Sequence, residues 1–248
     1  MLAKVEGFKN IVRKSTLNLS FDSTQMLFNN EKITSKMVSR DYSAVVILDL
    51  PNDVFSNVMG EMEFNFVQPN QNLMPFLNLF DDEDEIEIIP NDNFITVKKD
   101  KHNVRIMLSV SKAVSTFNHS IVNMKPFVTL PIDDDFIDSY NKIKKIGPKF
   151  GKIYFNVEDG VLYIETTNRE EVFSNSLKLK ITDVNSPDTQ LCFNYKNFVN
   201  AMTLINGNHN EFELKLFTVN VSDSMMGAVS IENGAKEQYY LASIKENV

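Results

Sequence analysis

The sequence has no tryptophan, a single cysteine and three histidines in 248 residues. Nor does any apolar run approach the roughly 20 residues needed to cross a bilayer. The lone Cys192 excludes an internal disulfide framework and fits a reducing compartment. His102, His119 and His209 stand singly in polar surroundings, none with a partner at metal-ligand spacing. No glycine-rich phosphate loop follows a strand, and no Gly-x-Ser-x-Gly elbow occurs. The acidic run "DDEDEIE" (81–87) lacks the spaced ligands and central glycine of a calcium loop, so it reads as a solvated turn. An enzyme, a metal and a cofactor are therefore not expected. "MLAKVEGFKNIVRK" contains no unbroken apolar segment of the kind a secretion signal needs. The expectation is a cytoplasmic protein with no membrane association, in the host cytoplasm if phage-encoded.

What is present is a globular composition, 43% hydrophobic and 23% charged, with a net charge of −8. An even spread of that charge would repel nucleic acid. The spread is not even. Most of the chain reads as strand. "SAVVILDL" (43–50), "EMEFNFV" (61–67), "EIEII" (85–89), "NFITVKK" (93–99) and "NVRIMLSV" (103–110) are short, β-branched or aromatic, and bounded by turn formers. The texture returns in 152–167, with Asp159-Gly160 as a hairpin turn, in 176–181 and 211–219, and in 227–243 with Asn233-Gly234 as its turn.

Four segments carry helical spacing instead. Over 4–19, Val5, Phe8, Val12 and Leu19 share a face. Over 72–80 the apolar stripe is Leu73, Phe76, Leu77 and Phe80, with Pro75 in the first turn. Over 133–146 an acidic start, Asp133–Asp135, precedes inward Phe136, Tyr140 and Ile143 and a lysine-rich end, as the helix dipole favours, and Gly147-Pro148 terminates the segment. Over 194–205, Tyr195, Phe198, Met202 and Ile205 align, with Lys196 and Asn200 opposite. The order helix, strands, helix, strands then occurs twice. Phe8 and Phe136 are 128 residues apart and Phe76 and Phe198 are 122 apart, so the pattern indicates an architectural duplication. The domains are expected at 1–121 and 135–248, joined by a connector at 122–134 that contains two prolines.

Basic residues gather on the helices. Lys4, Lys9, Arg13 and Lys14 accompany one acid, Glu6, in the first, and Lys142, Lys144, Lys145 and Lys149 occupy a stretch with no acid. With all four helices on one side, an acidic protein would present a basic face that attracts phosphates without reading bases. Solubilising lysines on ordinary amphipathic helices are the alternative.

From "MVSRDYSAVVILDL" (37–50) onward the chain resembles the sliding clamps, the DNA polymerase processivity factors that include proliferating cell nuclear antigen and the phage clamps. "FVTLPIDDDFIDSYNKIKKIGPKFGKIYFNVEDGVLYIETTN" (127–168) is similar to the family's opening of the second domain. "CFNYKNFVNAMTLIN" (192–206) is similar to its second-domain helix, and "EQYYLASIKE" (237–246) to its C-terminal end. The resemblance implies an α+β fold of two similar clamp domains, each with two helices packed on antiparallel sheets. Three copies would close into a homotrimeric ring around duplex DNA, bound without sequence preference, with segment 113–121 pairing against 174–181 of the next copy. The implied function is DNA replication: tethering a DNA polymerase after an ATP-dependent clamp loader has opened the ring.

On this reading Lys4, Lys9, Arg13, Lys14, Lys142, Lys144, Lys145, Lys149 and Lys196 are the DNA-facing candidates. The resemblance also implies a partner site at Met37, Met124, Pro126, Phe127, Tyr240, Leu241, Ala242 and Ile244, with one face of the last strand packed inward and the other meeting a partner. The chain departs from the family in a short connector, in Ser243 where a proline is usual, and in a proline-free "SDSMMGAVS" (222–230). An Asn- and Lys-rich composition fits an AT-rich viral or phage genome. Two rivals remain: a monomeric clamp-like processivity factor, and a non-catalytic β-rich viral structural or adaptor protein.

Overall fold

The computed structural model describes residues 1–117, 125–167, 175–221 and 224–244. The chain divides into two compact units, Met1–His119 with Ala235–Gln238, and Ser120–Gly234 with Tyr239–Val248. In the first, β1 (Leu2–Lys4) leads into α1 (Val5–Ser15), followed by β2 (Ser23–Phe28), β3 (Lys32–Val38), β4 (Ala44–Pro51), β5 (Phe55–Ser56) and β6 (Met62–Val67). Two short helices, α2 (Pro69–Asn72) and α3 (Met74–Leu77), precede β7 (Glu85–Pro90), β8 (Phe94–Lys99) and β9 (His102–Met107). The second unit repeats the plan. It runs through β10 (Val128–Pro131), α4 (Asp134–Ile146), β11 (Lys152–Glu158), β12 (Val161–Thr167), β13 (Ser176–Asp183) and β14 (Thr189–Asn194). Then come α5 (Tyr195–Leu204), β15 (Glu213–Val221), β16 (Ser224–Asn233) and β17 (Glu237–Ala242).

Strand order makes the duplication explicit. The order β1-β7-β8-β9 of the first unit, flanked by β5, has its counterpart in β10-β15-β16-β17 of the second. Likewise β4-β3-β2-β6 corresponds to β13-β12-β11-β14. Pairing within each run is antiparallel, as for β3 with β4 and β11 with β12. Alternation sets the register: in β4, Ala44, Val46, Leu48 and Leu50 point inward while Asp49 and Pro51 are exposed. The β11–β12 hairpin turns at Asp159 and Gly160, both at positive φ (49° and 74°), as a two-residue turn of this hand requires. The expected turn at Asn233-Gly234 is longer, because β16 ends at Asn233 and β17 begins only at Glu237.

Helix limits depart from the spacing for identifiable reasons. The first helix stops at Ser15 rather than running to 19. Thr16 Oγ1 donates to the Val12 carbonyl and accepts from the Leu19 N–H, and Leu17, Asn18 and Leu19 all adopt positive φ. The expected helix over 72–80 is two single turns broken at Leu73. Pro75 has no N–H to donate back toward Gln71, and its ring would collide with that carbonyl in a continuous helix. Phe76, expected inward, is 38% exposed as a result, whereas Leu73, Leu77 and Phe80 are buried. The other two helices follow the sequence closely. Asp133 caps α4 by accepting from the Phe136 N–H at 2.9 Å, and Asn194 caps α5 by accepting from the Asn197 N–H at 3.1 Å.

Each unit has an aromatic core. In the first, Phe55 lies against Phe8 (5.4 Å between ring centroids) and Phe28 (4.8 Å), and Phe28 meets Phe64 edge-on at 4.9 Å. In the second, Phe198 sits between Phe155 (5.5 Å) and Tyr140 (6.0 Å).

The stretch expected as a connector, 122–134, includes β10, whose Val128 pairs with Leu216, and the cap of α4. Residues 122–124 lie outside the described residues. Of the segment 113–121, Ser115 and Phe117 hydrogen-bond to Val38 and Lys36 of the same chain, and 118–121 lie outside the described residues. Of 174–181, Ser176–Ile181 belong to β13, the outermost strand of its sheet.

Candidate nucleic-acid interface

The end of α4 is held against the start of α5 by two contacts around one tyrosine. Tyr195 Oη donates to the Lys144 carbonyl at 3.0 Å, and its ring covers Gly147. A Cβ on Gly147 would lie 2.0 Å from Tyr195 Cε2. Gly147 has an ordinary helical φ of −52°, so space and not backbone freedom demands glycine here. The helix ends at Ile146, where Gly147-Pro148 is expected to stop it, and the chain continues through a short 3-10 turn, Gly147–Lys149. Gly147→Ala is expected to destabilise the protein by about 1–3 kcal/mol through overpacking, read as a lowered urea midpoint.

This junction carries five of the second unit's basic residues. Lys142, Lys144, Lys145 and Lys149 all lie exposed on α4 and the turn after it, and exposed Lys196 directly follows Tyr195. None of the five forms an ion pair with another described residue, although the Lys144 ammonium lies 5.9 Å from the Tyr140 ring centroid. Three aspartates, Asp133–Asp135, stand at the opposite end of α4, where they favour the helix dipole. Lysines without carboxylate partners are available to exchange counter-ions for phosphate.

The first unit is different. Lys4 and Arg13 are exposed, but Lys9 is buried, its Nζ 2.7 Å from Asp82 Oδ1. Lys14 is largely buried and donates to Glu237 Oε1 at 2.5 Å. The Lys9 hydrogen bond, reinforced by the charges of Lys9 and Arg13, holds the Asp82 carboxyl below the usual carboxylate range. Lys9 and Lys14, expected among the DNA-facing residues, are thus committed to internal pairs. No spacing rule could have announced these pairs, since the partners lie 73 and 223 residues away.

The residues expected to meet a partner protein divide by depth. Met37 is fully buried in β3, where its Sδ accepts from the Gln25 N–H at 3.2 Å, and Leu241 is also buried. Neither side chain is placed to line a surface pocket. Pro126 and Ile244 are exposed, Phe127, Tyr240 and Ala242 are half-buried, and Met124 lies outside the described residues. Alternation in β17 is regular, with Glu237, Tyr239 and Leu241 inward and Gln238, Tyr240 and Ala242 on the other face. The sequence did not reveal the network behind Tyr240. Burial, with the adjoining Glu232 carboxylate and its hydrogen bond, pushes the phenol's pKa up. Glu232 is buried and accepts from Lys215 Nζ at 2.7 Å.

No family model matches the sequence, and no curated protein does. Solved structures do match its fold. A structure of A. fulgidus PCNA with the C-terminal region of FEN-1 bound superposes with a TM-score of 0.66 at 14% identity, covering 100% of this chain and 99% of that one. The PCNA2–PCNA3 complex from Sulfolobus tokodaii gives 0.64 at 14% identity, covering 99% and 100%. The DNA polymerase III subunit beta of Pseudomonas aeruginosa gives 0.68 at 10% identity, covering 99% of this chain but 66% of that longer one. The chain has the fold of the sliding clamps.

Proposed function

We propose that this protein, with its sliding-clamp fold, is itself a DNA sliding clamp: three copies close around duplex DNA and tether a DNA polymerase for processive replication. The observation that carries the proposal is the group of five exposed lysines at the α4–α5 junction, without carboxylate partners among the described residues, on a chain whose net charge is −8. A basic surface persisting against such a balance suits phosphates, and lysines as point charges suit a grip indifferent to sequence. Lys4 and Arg13 add exposed positive charge in the first unit. No catalytic group is required.

Self-assembly is supported by the open edge of β13 and by the likeness to a complex of two clamp chains. Protein partners are supported by the likeness to a clamp with a FEN-1 segment bound. The surface residues suited to such a partner are Pro126, Phe127, Tyr240, Ala242 and Ile244; Met37 and Leu241 are set aside by their burial. An ATP-dependent loader, a viral or phage origin and action in the cytoplasm complete the proposal.

The test is retention on DNA. Loaded onto nicked circular DNA, the protein should remain bound through gel filtration at moderate salt and be lost within minutes once the circle is linearised. Equal loss from both forms would exclude encirclement. Light scattering that finds only monomer at working concentration would favour a monomeric processivity factor. An absence of any stimulation of the cognate polymerase would favour an adaptor protein.

A further inference from the structure

Equivalent helices of the two units differ in how their lysines are compensated: in α1, Lys14 pairs with Glu237 and Lys9 with the acidic turn between α3 and β7. That turn closes on itself through Asp84 N–H to the Asp81 carbonyl (3.0 Å) and Asp81 N–H to Asp84 Oδ2 (3.0 Å). Its backbone also serves α1. Lys4 provides no side-chain cap, and the first two N–H groups of the helix, from Val5 and Glu6, donate to the carbonyls of Asp84 and Asp82, each at 3.0 Å. Asp84's carboxylate is taken by Lys99. The Asp82 backbone is therefore fixed at Glu6, and its carboxylate reaches Lys9, three residues further along the helix. The carboxylate is the outer member of the pair, with 63% of the Asp82 side chain exposed against 7% for Lys9. α4 differs: Asp138 lies four residues before Lys142 on the same helix, yet neither it nor any other described carboxylate forms an ion pair with Lys142 or Lys145.

We propose that Asp82 is a built-in counter-ion that masks Lys9 and weakens the field at Arg13, so that the acidic turn sets how loosely the protein holds DNA. This rests on the reading of the protein as a DNA clamp. With Asp82 in place, the lysines of α4 provide the larger share of the grip and α1 contributes little. A phosphate approaching α1 meets an exposed carboxylate before it meets Lys9. A grip loosened in this way suits a protein that must move along the duplex as well as stay on it.

Asp82→Asn is the direct test, because it removes the charge but keeps an acceptor for Lys9. Duplex affinity of the full-length protein is measured by fluorescence anisotropy on a labelled duplex of about 30 base pairs, about three helical turns, across a salt series. Each Lys9 that gains a phosphate should steepen the slope of log K against log salt by about 0.9, about eightfold tighter binding at 0.1 M salt. Most of that gain should disappear in Asp82→Asn combined with Lys9→Gln, which assigns it to Lys9. Asp82→Ser, checked by the same series, guards against a fold defect peculiar to asparagine, and thermal melting reports on both. If Lys145→Gln flattens the slope while neither Asp82 variant steepens it, the masking role is overturned and the clamp reading stands. If none of the three changes the slope, the DNA-holding reading falls, and the inference with it.

Discussion

Replacing Lys142, Lys145 and Lys149 together by glutamine is expected to weaken duplex binding by about 500-fold at 0.1 M salt. Each lost phosphate contact removes about 0.9 from the slope of log K against log salt, or about eightfold at that concentration, and three independent contacts multiply. The three residues are chosen because all are exposed and none has a carboxylate partner among the described residues. Glutamine keeps helix propensity close to that of lysine, so the backbone of α4 should be undisturbed. Lys145 lies in the last turn, where a positive charge complements the helix dipole, and its loss there costs about 0.3–1 kcal/mol. That is far smaller than the binding effect, and a melting curve separates the two. The check is an anisotropy titration across a salt series. A slope unchanged from that of the unsubstituted protein would show that these lysines only solubilise the helix.

The duplication was legible because it depends on local rules repeated at a fixed offset. Phe136, Tyr140 and Ile143 of α4, and Tyr195, Phe198, Met202 and Ile205 at α5, are buried as their spacing predicts. Asp159-Gly160 turns as its composition requires. The rest was hidden wherever the outcome depends on residues distant in the chain. Lys9 and Lys14 looked like Lys145, and they differ only because Asp82 and Glu237 fold back onto them. Met37 resembled a surface methionine of a docking pocket, but a strand side chain's depth depends on what covers its sheet, which alternation alone does not supply. The break at Leu73 could have been read locally. Pro75 sits where a continuous helix would need its N–H, and placing it in a first turn required the helix to begin later than its apolar stripe.

Phe198→Ala is the substitution expected to cost most in stability, about 3–5 kcal/mol, as for other fully buried phenylalanines. Phe198 is fully buried, and its ring is approached edge-on by Tyr140 from α4 and by Phe155 from β11. Truncation thus removes apolar burial and two aromatic pairs, each worth about 0.5–1.5 kcal/mol beyond its area. The void would open where α4, α5 and β11 meet. Phe155 also rests on Phe193 at 6.0 Å, so the neighbouring rings are held from behind and collapse to fill the space is restricted. Such a loss is a large fraction of the 5–15 kcal/mol typical of a folded domain. The second unit should therefore unfold at lower urea than the first, converting one transition into two. Near-ultraviolet circular dichroism during a urea titration follows the tyrosines, which this chain has instead of tryptophan. Tyr195→Phe gives the scale: it removes only the hydrogen bond to the Lys144 carbonyl and should cost about 1 kcal/mol. If Phe198→Ala costs no more than Tyr195→Phe, the aromatic cluster is not what holds the two helices of this unit to their sheet.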